Sequence, residues 1–369
     1  MVRCEVLIAG GGPAGSACAW KLRQAGMDVL VADKAQFPRD KVCAGWITPA
    51  VLRELHIDSN EYRNGRTFQP ITAFRIGVIG RGAPIDITYG HPVSFGIRRC
   101  EFDHYLLQRS GARVLPGTAI ARIRRDGPHW IVNEAIRASV LVGAGGHFCP
   151  VARMMSGDVP RASLVAAQEA EFAIDRAETW PVAPERPELY FCDDLQGYGW
   201  CFRKQEYLNV GFGRFDAHAL PKATTAFVEY LEAIGRIPPE QSWRWRGHAY
   251  LVVGTHPRRP VDDGVVLVGD AAGLAFPRSG EGIRPAIESG LIAASTILAA
   301  NGRYTLDRLA PYGDRLRARF GVGPLTHMLS LAVPDRSASA VARRLMRSPW
   351  FVRHVVLDRW FLQPFAAVQ

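Results

Sequence analysis

The hydrophobic pattern of the chain changes period several times, and each change marks an element. Val6-Leu7-Ile8-Ala9 is a continuous apolar run that stops at Gly10-Gly11-Gly12-Pro13-Ala14-Gly15. Residues 16–25 then carry apolar positions at helical spacing, and Gly26 is placed to cap the helix C-terminus. Val29-Leu30-Val31-Ala32 returns to a strand-like run that ends at Asp33. A second such passage lies far downstream. Residues 264–268 read as a buried strand, Gly269-Asp270-Ala271-Ala272-Gly273 as a turn, and 284–300 as a helix. Between them, short strand patterns fall at 72–79, 85–89, 188–192, 199–202 and 207–212, with proline-rich turns at 181–187 and at Pro238-Pro239. From Leu306 onward the pattern is helical, with arginines alternating with bulky apolar groups in Val341-Ala342-Arg343-Arg344-Leu345-Met346-Arg347 and from Trp350 to Leu357.

The first passage has specific chemistry. G-x-G-x-x-G between a strand and a helix, with an acid at the tip of the next strand, is the dinucleotide-binding arrangement. Gly10 permits the tight turn, Gly12 admits a pyrophosphate close to the backbone, and Gly15 lets helix and strand touch. The helix N-terminus offers free N–H groups to phosphates, and Asp33 suits a ribose diol. The motif by itself does not separate FAD from NAD(P). In the downstream passage, Asp270 at a strand end suits a polyol. Gly280 and Gly282, just before a helix, would present N–H groups to a flavin carbonyl or N1.

Composition narrows the class. At 369 residues, 48% hydrophobic and 22% charged, the chain reads as an ordinary globular protein with two compact regions. No run of the roughly eighteen apolar residues needed to cross a membrane occurs. The N-terminus lacks a secretory signal core, so a cytoplasmic protein is expected. Its 7 cysteines include no C-x-x-C pair, which suits reduced thiols and argues against a zinc or iron–sulfur site; no metal is expected. The net charge of +10 favours anionic small-molecule partners or an acidic membrane surface, and dispersed arginines with no recognition module argue against nucleic acid. The C-terminal arginines fit either a peripheral membrane contact or a packed helix with a solvated face, and the packed helix is the favoured reading.

Together these motifs resemble flavoproteins of the para-hydroxybenzoate hydroxylase-like fold: the first glycine turn, Arg99-x-x-Phe102-Asp103, G-D-A-A-G at 269–273 and G-E-G-I at 280–283. Three stretches are most similar to the geranylgeranyl reductase family: Pro38-Arg39-Asp40-Lys41-Val42-Cys43-Ala44-Gly45, Tyr198-Gly199-Trp200-Cys201-Phe202, and Ser279-Gly280-Glu281-Gly282-Ile283 with Ala286-Ile287-Glu288-Ser289-Gly290. The resemblance covers about residues 1–300. It implies an α/β fold in which a Rossmann-type FAD-binding domain (1–65, 97–155 and 258–300) is interleaved with a mixed β-sheet substrate domain (66–96 and 160–257), followed by a helical C-terminus (301–369).

The resemblance also implies site roles. Gly10, Gly12, Pro13, Ala14, Gly15, Asp33 and Lys34 would hold the ADP half of FAD. Arg99 would reach its phosphates, and Asp270, flanked by Gly269 and Ala271, its ribitol or pyrophosphate. Gly280, Gly282 and Ile283 would lie beside the isoalloxazine, and Arg39, Lys41 and Cys43 on a loop near flavin and substrate. Tyr198, Trp200 and Phe202 would line the cavity opposite the ring. Cys43, Tyr198 and Trp200 are the catalytic candidates. Cys43 reads either as a thiol activated beside Arg39 and Lys41, protonating an alkene carbon, or as a small buried hydrophobe. Tyr198 reads as a wall or a proton donor, while Glu281 is expected to hold its turn rather than act as a base.

Departures from the family pattern are Ala44 in place of glycine, Arg203 after Phe202 in place of proline, and Gly145-Gly146 where hydroxylases of the fold carry an Asp. Cys149 replaces a serine, and His147 is a polar stand-in or simply structural. Trp243-Arg244-Trp245 is read as strand packing, since it lacks the Ile-Pro that follows the corresponding pair in halogenases.

The implied function is FAD-dependent reduction of C=C bonds in a hydrophobic, isoprenoid-like substrate, with the basic charge matching an anionic group on it. The alternatives are a flavin monooxygenase acting on an aromatic or polyketide compound, and an electron-transfer flavoprotein dehydrogenase. NAD(P)H, an electron-donor protein such as ferredoxin, and a quinol all remain open as donors. With one nucleotide fingerprint in the chain, a nicotinamide would meet the flavin at a transient site.

Overall fold

The computed structural model describes residues 1–157, 164–175, 180–239, 242–255, 258–321 and 343–363. The continuous apolar runs form a parallel sheet. Val2–Ala9 lies between Ile136–Gly143 and Val29–Ala32, parallel to both. The order across this part of the sheet is Val261–Asp262, Val265–Leu267, Ile136–Gly143, Val2–Ala9, Val29–Ala32, Arg113–Leu115. The antiparallel pair Ile123–Asp126 and His129–Val132 extends it from Ile136–Gly143. Val6, Leu7 and Ile8 have no exposed surface, as expected of a parallel strand covered on both faces.

Helices Pro13–Gln24 and Ile283–Ala299 cover this sheet near its glycine turn. The first begins three residues before the apolar periodicity suggests, because Pro13 at the first helical position loses no hydrogen bond. The two helices meet backbone to backbone: a Cβ on Gly290 would overlap the carbonyl oxygen of Ala14. The downstream strand is shorter than its pattern, since Gly264 (φ 63°) still belongs to the preceding turn.

The period-2 segments form a second sheet in the order Arg246–Leu251, Leu164–Ala173, Tyr207–Arg214, Gly197–Lys204, Glu188–Phe191, Ala73–Val78, Arg81–Thr88. Every pairing is antiparallel except that of Glu188–Phe191 with Ala73–Val78. The sheet's outer face packs on helix Leu220–Ala233 through Tyr190, Cys201, Phe212, Phe227 and Leu231. Trp243 and Trp245 precede the last strand rather than belonging to it. They stack with ring centroids 5.2 Å apart, and Trp243 meets Phe172 on the outer face. A three-stranded sheet, Trp46–Ile47, Ser94–Ile97 and Phe68–Ile71, lies at the junction.

The helical pattern after Leu306 resolves into Leu306–Leu309, Pro311–Phe320 and, further on, a π-helical turn series at Val352–Leu362. Val341 and Ala342 lie outside the described residues. Val352, Val356, Leu357 and Phe361 are buried against Phe74, Ile76, Ile87 and Phe191 of the second sheet. Arg353 donates to the Thr88 carbonyl at 3.3 Å and lies over the Tyr89 ring, so this basic segment is packed on the sheet. No helix among the described residues is long and apolar enough to cross a membrane.

The contact at Gly290 gives a direct stability test. Gly290→Ala forces the helices Pro13–Gln24 and Ile283–Ala299 apart and is expected to cost about 1–3 kcal/mol by overpacking, read as a lower urea midpoint. A parental midpoint would show that the helices do not touch at this point.

Candidate active site

A cavity of about 710 Å³ lies between the glycine-turn edge of the parallel sheet and the inner face of the mixed sheet. Its floor is the first glycine turn, where Gly10, Gly12, Pro13 and Ala14 face the space together with Asp33 and Lys34. Gly10 has φ 119°, and a Cβ there would overlap the Ala144 carbonyl; one on Gly15 would overlap the Gly10 carbonyl. The turn is therefore held by backbone contact on two sides. At Gly12 the cavity side is open, with only the Arg39 guanidinium at 3.4 Å from where a Cβ would stand. Asp33 accepts hydrogen bonds from the N–H groups of Gly11 and Ala35, both at 2.8 Å, which aims the carboxylate along the cavity wall.

Two arginines share one buried acid above this floor. Arg99 forms a bidentate pair with Asp103 at 2.8 and 2.9 Å, and Arg39 reaches the same carboxylate at 3.3 Å. Burial opposes the charge on Arg99, but Asp103 and the adjoining Cys43 side chain more than offset it, so the guanidinium is held firmly protonated. Arg39, rather than Arg99, is the cation that stands over Gly12.

The middle of the cavity is polar. Lys41 Nζ lies 2.6 Å from His248 Nε2, and His248 Nε2 is 3.8 Å from an Asp270 oxygen. Burial pushes Lys41 down to about 8 against the pull of Asp270. Burial likewise lowers His248. For Asp270 burial acts upward, but His248 and Lys41 outweigh it and keep the carboxylate ionised. His248 stacks on Tyr250, its neighbour two residues on in the edge strand.

One reading of the turn at 277–283 needs correction. The N–H of Gly280 donates to the Phe276 carbonyl at 2.9 Å, so it is not available to a flavin; the helix start at Gly282 and Ile283 is the remaining donor end. Glu281 holds the turn through its backbone, whose carbonyl accepts from Phe276 at 2.9 Å, but neither carboxyl oxygen has a partner. Burial pushes this carboxyl up to about 8, with Arg284 opposing and Glu288 reinforcing the shift.

The roof is aromatic. Tyr198 and Trp200 project from one face of Gly197–Lys204, with Leu189 beside them and Phe361 arriving from the C-terminal helix. Phe361 sits 5.5 Å from both the Tyr198 and the Trp46 rings. The Trp200 ring occupies the space where a side chain at Gly211 would stand. Tyr198 donates its hydroxyl to the Ser279 carbonyl, and burial raises it well above the usual phenol range. It is thus a wall of the cavity and a strut to the turn at 277–283, its hydroxyl proton engaged by that carbonyl. Cys43 is half-buried at the cavity edge. Ala44 is accommodated because the left-handed residue of this loop is Gly45 (φ 69°), where a Cβ would meet Ile97 and Lys204.

Of the residues singled out from sequence, Gly15, Phe202, Gly269 and Ala271 do not line the cavity; the Phe202 ring packs instead against Gly96 of the small sheet. Gly15 supports the turn, Gly269 donates its N–H to Ser289 Oγ at 2.9 Å, and Ala271 gives its carbonyl to Arg258 at 2.7 Å. His248, Tyr250 and Phe361 were missed. The alternation Arg246-x-His248-x-Tyr250 carried a readable signal for the first two. Phe361 reaches Tyr198 from far along the chain, and no local pattern announces that. His147 is buried at the cavity wall beside Phe148, its Nδ1 without a partner, and burial lowers its pKa.

The residues fit FAD. An open Gly12 at a helix N-terminus with a cation above it accepts a pyrophosphate, and the paired Asp270 meets the demands of a polyol. A dinucleotide cradle opening onto an aromatic chamber defines an FAD-dependent oxidoreductase. Comparison with known proteins agrees. Residues 8–47 match the NAD(P)-binding Rossmann-like domain. An uncharacterized protein of Methanosarcina barkeri is 30% identical over 322 residues, covering 84% of this chain and 78% of its own. A menaquinone reductase of Mycobacterium tuberculosis is 28% identical (86% and 81% covered) and a geranylgeranyl diphosphate reductase of Rhodobacter capsulatus 29% identical (81% and 76%). The crystal structure of a geranylgeranyl bacteriochlorophyll reductase-like protein of Thermoplasma acidophilum superposes with TM-score 0.77 at 22% identity, covering 94% and 91% of the two chains. The chain belongs to the geranylgeranyl reductase family of FAD-dependent oxidoreductases.

The Glu281 carboxyl has a measurable signature. Its folded pKa of about 8 exceeds the ordinary 4.5, so between those values the folded state binds more protons and stability falls as pH rises. Glu281→Gln is neutral throughout and should gain stability relative to the parent progressively from about pH 5 to about pH 8, read by urea unfolding. A difference independent of pH would mean that the carboxyl ionises normally.

Proposed function

We propose that this protein saturates carbon–carbon double bonds in a hydrophobic, isoprenoid-like substrate held between the flavin site and the aromatic roof. The observation that carries the proposal is the two-ended cavity, in which a cationic, glycine-floored dinucleotide end continues into a chamber walled by Leu189, Tyr198, Trp200 and Phe361, with Cys43 at the junction. FAD, once reduced, supplies a hydride. The chain's own residues supply the remaining requirements.

An alkene chain offers no hydrogen-bonding groups, so it is retained by apolar burial and aromatic contact, which the roof provides. The second carbon of the reduced bond needs a proton. Cys43 supports that role: it lies at the cavity edge, beside the permanently charged Arg99, which would stabilise the thiolate left behind. One hydride and one proton together saturate one bond, and the thiol is restored from solvent. The names of the relatives, which include a geranylgeranyl diphosphate reductase and a menaquinone reductase, support a substrate carrying a polyprenyl chain. The basic surplus of the protein favours an anionic or polar head on that chain.

The test is anaerobic rapid mixing of the dithionite-reduced holoprotein with geranylgeranyl-type alkenes. Flavin reoxidation with saturated product by mass spectrometry is expected, and Cys43→Ser should slow it by about 100-fold or more, the usual scale of a lost general acid. Reoxidation by oxygen alone, with an oxygenated aromatic product, would instead make the protein a monooxygenase. An unimpaired Cys43→Ser would remove the thiol from the chemistry.

A further inference from the structure

The inner face of the mixed sheet carries a polar cluster that neither the cofactor cradle nor the apolar chamber requires. Glu169 and Glu171 point from Leu164–Ala173 to the same side as Asn209 of the adjacent strand Tyr207–Arg214 and Lys204 of Gly197–Lys204, one strand further on. Lys204 and Asn209 are fully buried, and Glu169 is 6% exposed. Burying two carboxylates, an ammonium and an amide in a sheet that could be filled with apolar side chains lowers stability unless each finds partners. Here the partners belong to the Cys43 loop.

Glu169 Oε2 accepts the Cys43 N–H at 2.6 Å. Asn209 Nδ2 donates to the Cys43 carbonyl at 3.3 Å and to both carboxylates, at 3.3 and 3.1 Å, while its Oδ1 accepts from Trp200 Nε1 at 2.7 Å. Lys204 Nζ donates to the carbonyls of Ala44 (3.0 Å) and Ile97 (3.1 Å) and pairs with Glu171. Both backbone polar groups of Cys43 are therefore fixed by side chains of the roof, and the same amide fixes Trp200. We propose that Glu169, together with Asn209, is a positioning residue that sets where the Cys43 thiol stands relative to the roof and the flavin site. The inference deepens the proposed reaction and rests on it for its catalytic consequence; the geometry it asserts is measurable without turnover.

The charges around Glu169 decide when its grip is strongest. Lys204 faces it from Gly197–Lys204, Asn209 from Tyr207–Arg214, Glu171 from its own strand, and the Cys43 N–H from the loop. Arg246, its register partner on the edge strand, is paired with Asp40, and Arg98 is paired with Glu171 at 3.2 Å. One ammonium is thus shared by two carboxylates. Glu171 is held ionised by Lys204 against its burial, while burial leaves Glu169 up at about 7. Above that value Glu169 binds the Cys43 N–H as a carboxylate; below it, as a weaker neutral acceptor.

The experiment follows Cys43 alkylation by iodoacetamide in the FAD-bound protein, peptide by peptide with mass spectrometry, for the parent, Glu169→Gln and Glu169→Leu. Each alkylation rate is divided by that variant's own thiolate fraction, taken from the pH dependence of its reaction, so that the variant-to-parent ratio reports the position of the thiol and not its ionisation. For Glu169→Gln the ratio should be near one at about pH 6 and several-fold above it at about pH 8.5. For Glu169→Leu it should reach roughly tenfold, the scale of one lost hydrogen bond to a charged acceptor. Half-exposed Cys100 should not change. Ratios of one at every pH, or an equal rise at Cys100, would overturn the proposal. Full turnover of Cys43→Ser alongside a pH-dependent Glu169→Gln ratio would retain the positioning and remove the catalytic role; the converse pair would do the reverse.

Discussion

The site depends on backbone touching backbone around the first glycine turn. Gly10 presses on Ala144, Gly15 on Gly10, and Gly290 on Ala14, so strand, turn and two helices converge with no side chain between them. This packing puts the helix N-terminus at the cavity floor and leaves Gly12 as the open position. It also fixes the start of Ile283–Ala299 beside the same space, since that helix can approach only as closely as Gly290 allows. A cofactor bound across these two helix starts would therefore be oriented by covalent geometry before any side chain is considered.

Above that floor, burial and pairing compete at each ionisable group, and the winner differs over short distances. Asp270 and Glu171 keep their charge because a cation is close. Glu281, with no hydrogen-bond partner, and Glu169, sharing its cation, are driven up into the neutral range. Arg99 stays charged through Asp103, whereas at Lys41 burial outweighs the pull of Asp270 and lowers it. The cavity thus offers fixed cations toward the dinucleotide and removable protons toward the flavin-side turn and roof, a separation that suits a reaction moving a hydride and a proton to one bond.

Much of the floor was legible because local sequence rules and tertiary need coincide there. A G-x-G-x-x-G turn between a strand and a helix leaves few other structures, and Val29–Ala32 ends as its pattern indicates. The alternating strands of the second sheet were likewise visible, though Gly197–Lys204 and Tyr207–Arg214 run longer than their apolar patterns. What escaped was polar or distant. Glu169 and Lys204 look like ordinary solvent-facing residues of a strand until the Cys43 loop is folded over them. Phe361 belongs to a helix whose own sequence says nothing about where it docks. The backbone of Glu281 holds its turn as expected, but that its carboxyl has no donor is visible only in the packed structure.

These distant contacts are also where the shared fold acquires its particular chemistry. The floor would serve any flavoprotein of this architecture, since it recognises a dinucleotide and nothing else. The reacting face is assembled from contacts joining remote segments: Tyr198 to Ser279, Glu169 to Cys43, Lys204 to Ala44, and Phe361 to Trp46. Each ties the roof to an element flanking the floor, so a shift of the mixed sheet would move the thiol, the aromatic wall and the flavin-side turn together. The roof is then more than a lid on a finished site. On the proposed reaction it would set the register between Cys43 and the cofactor, and changes in its inward-facing residues are the economical way for one scaffold to change its substrate.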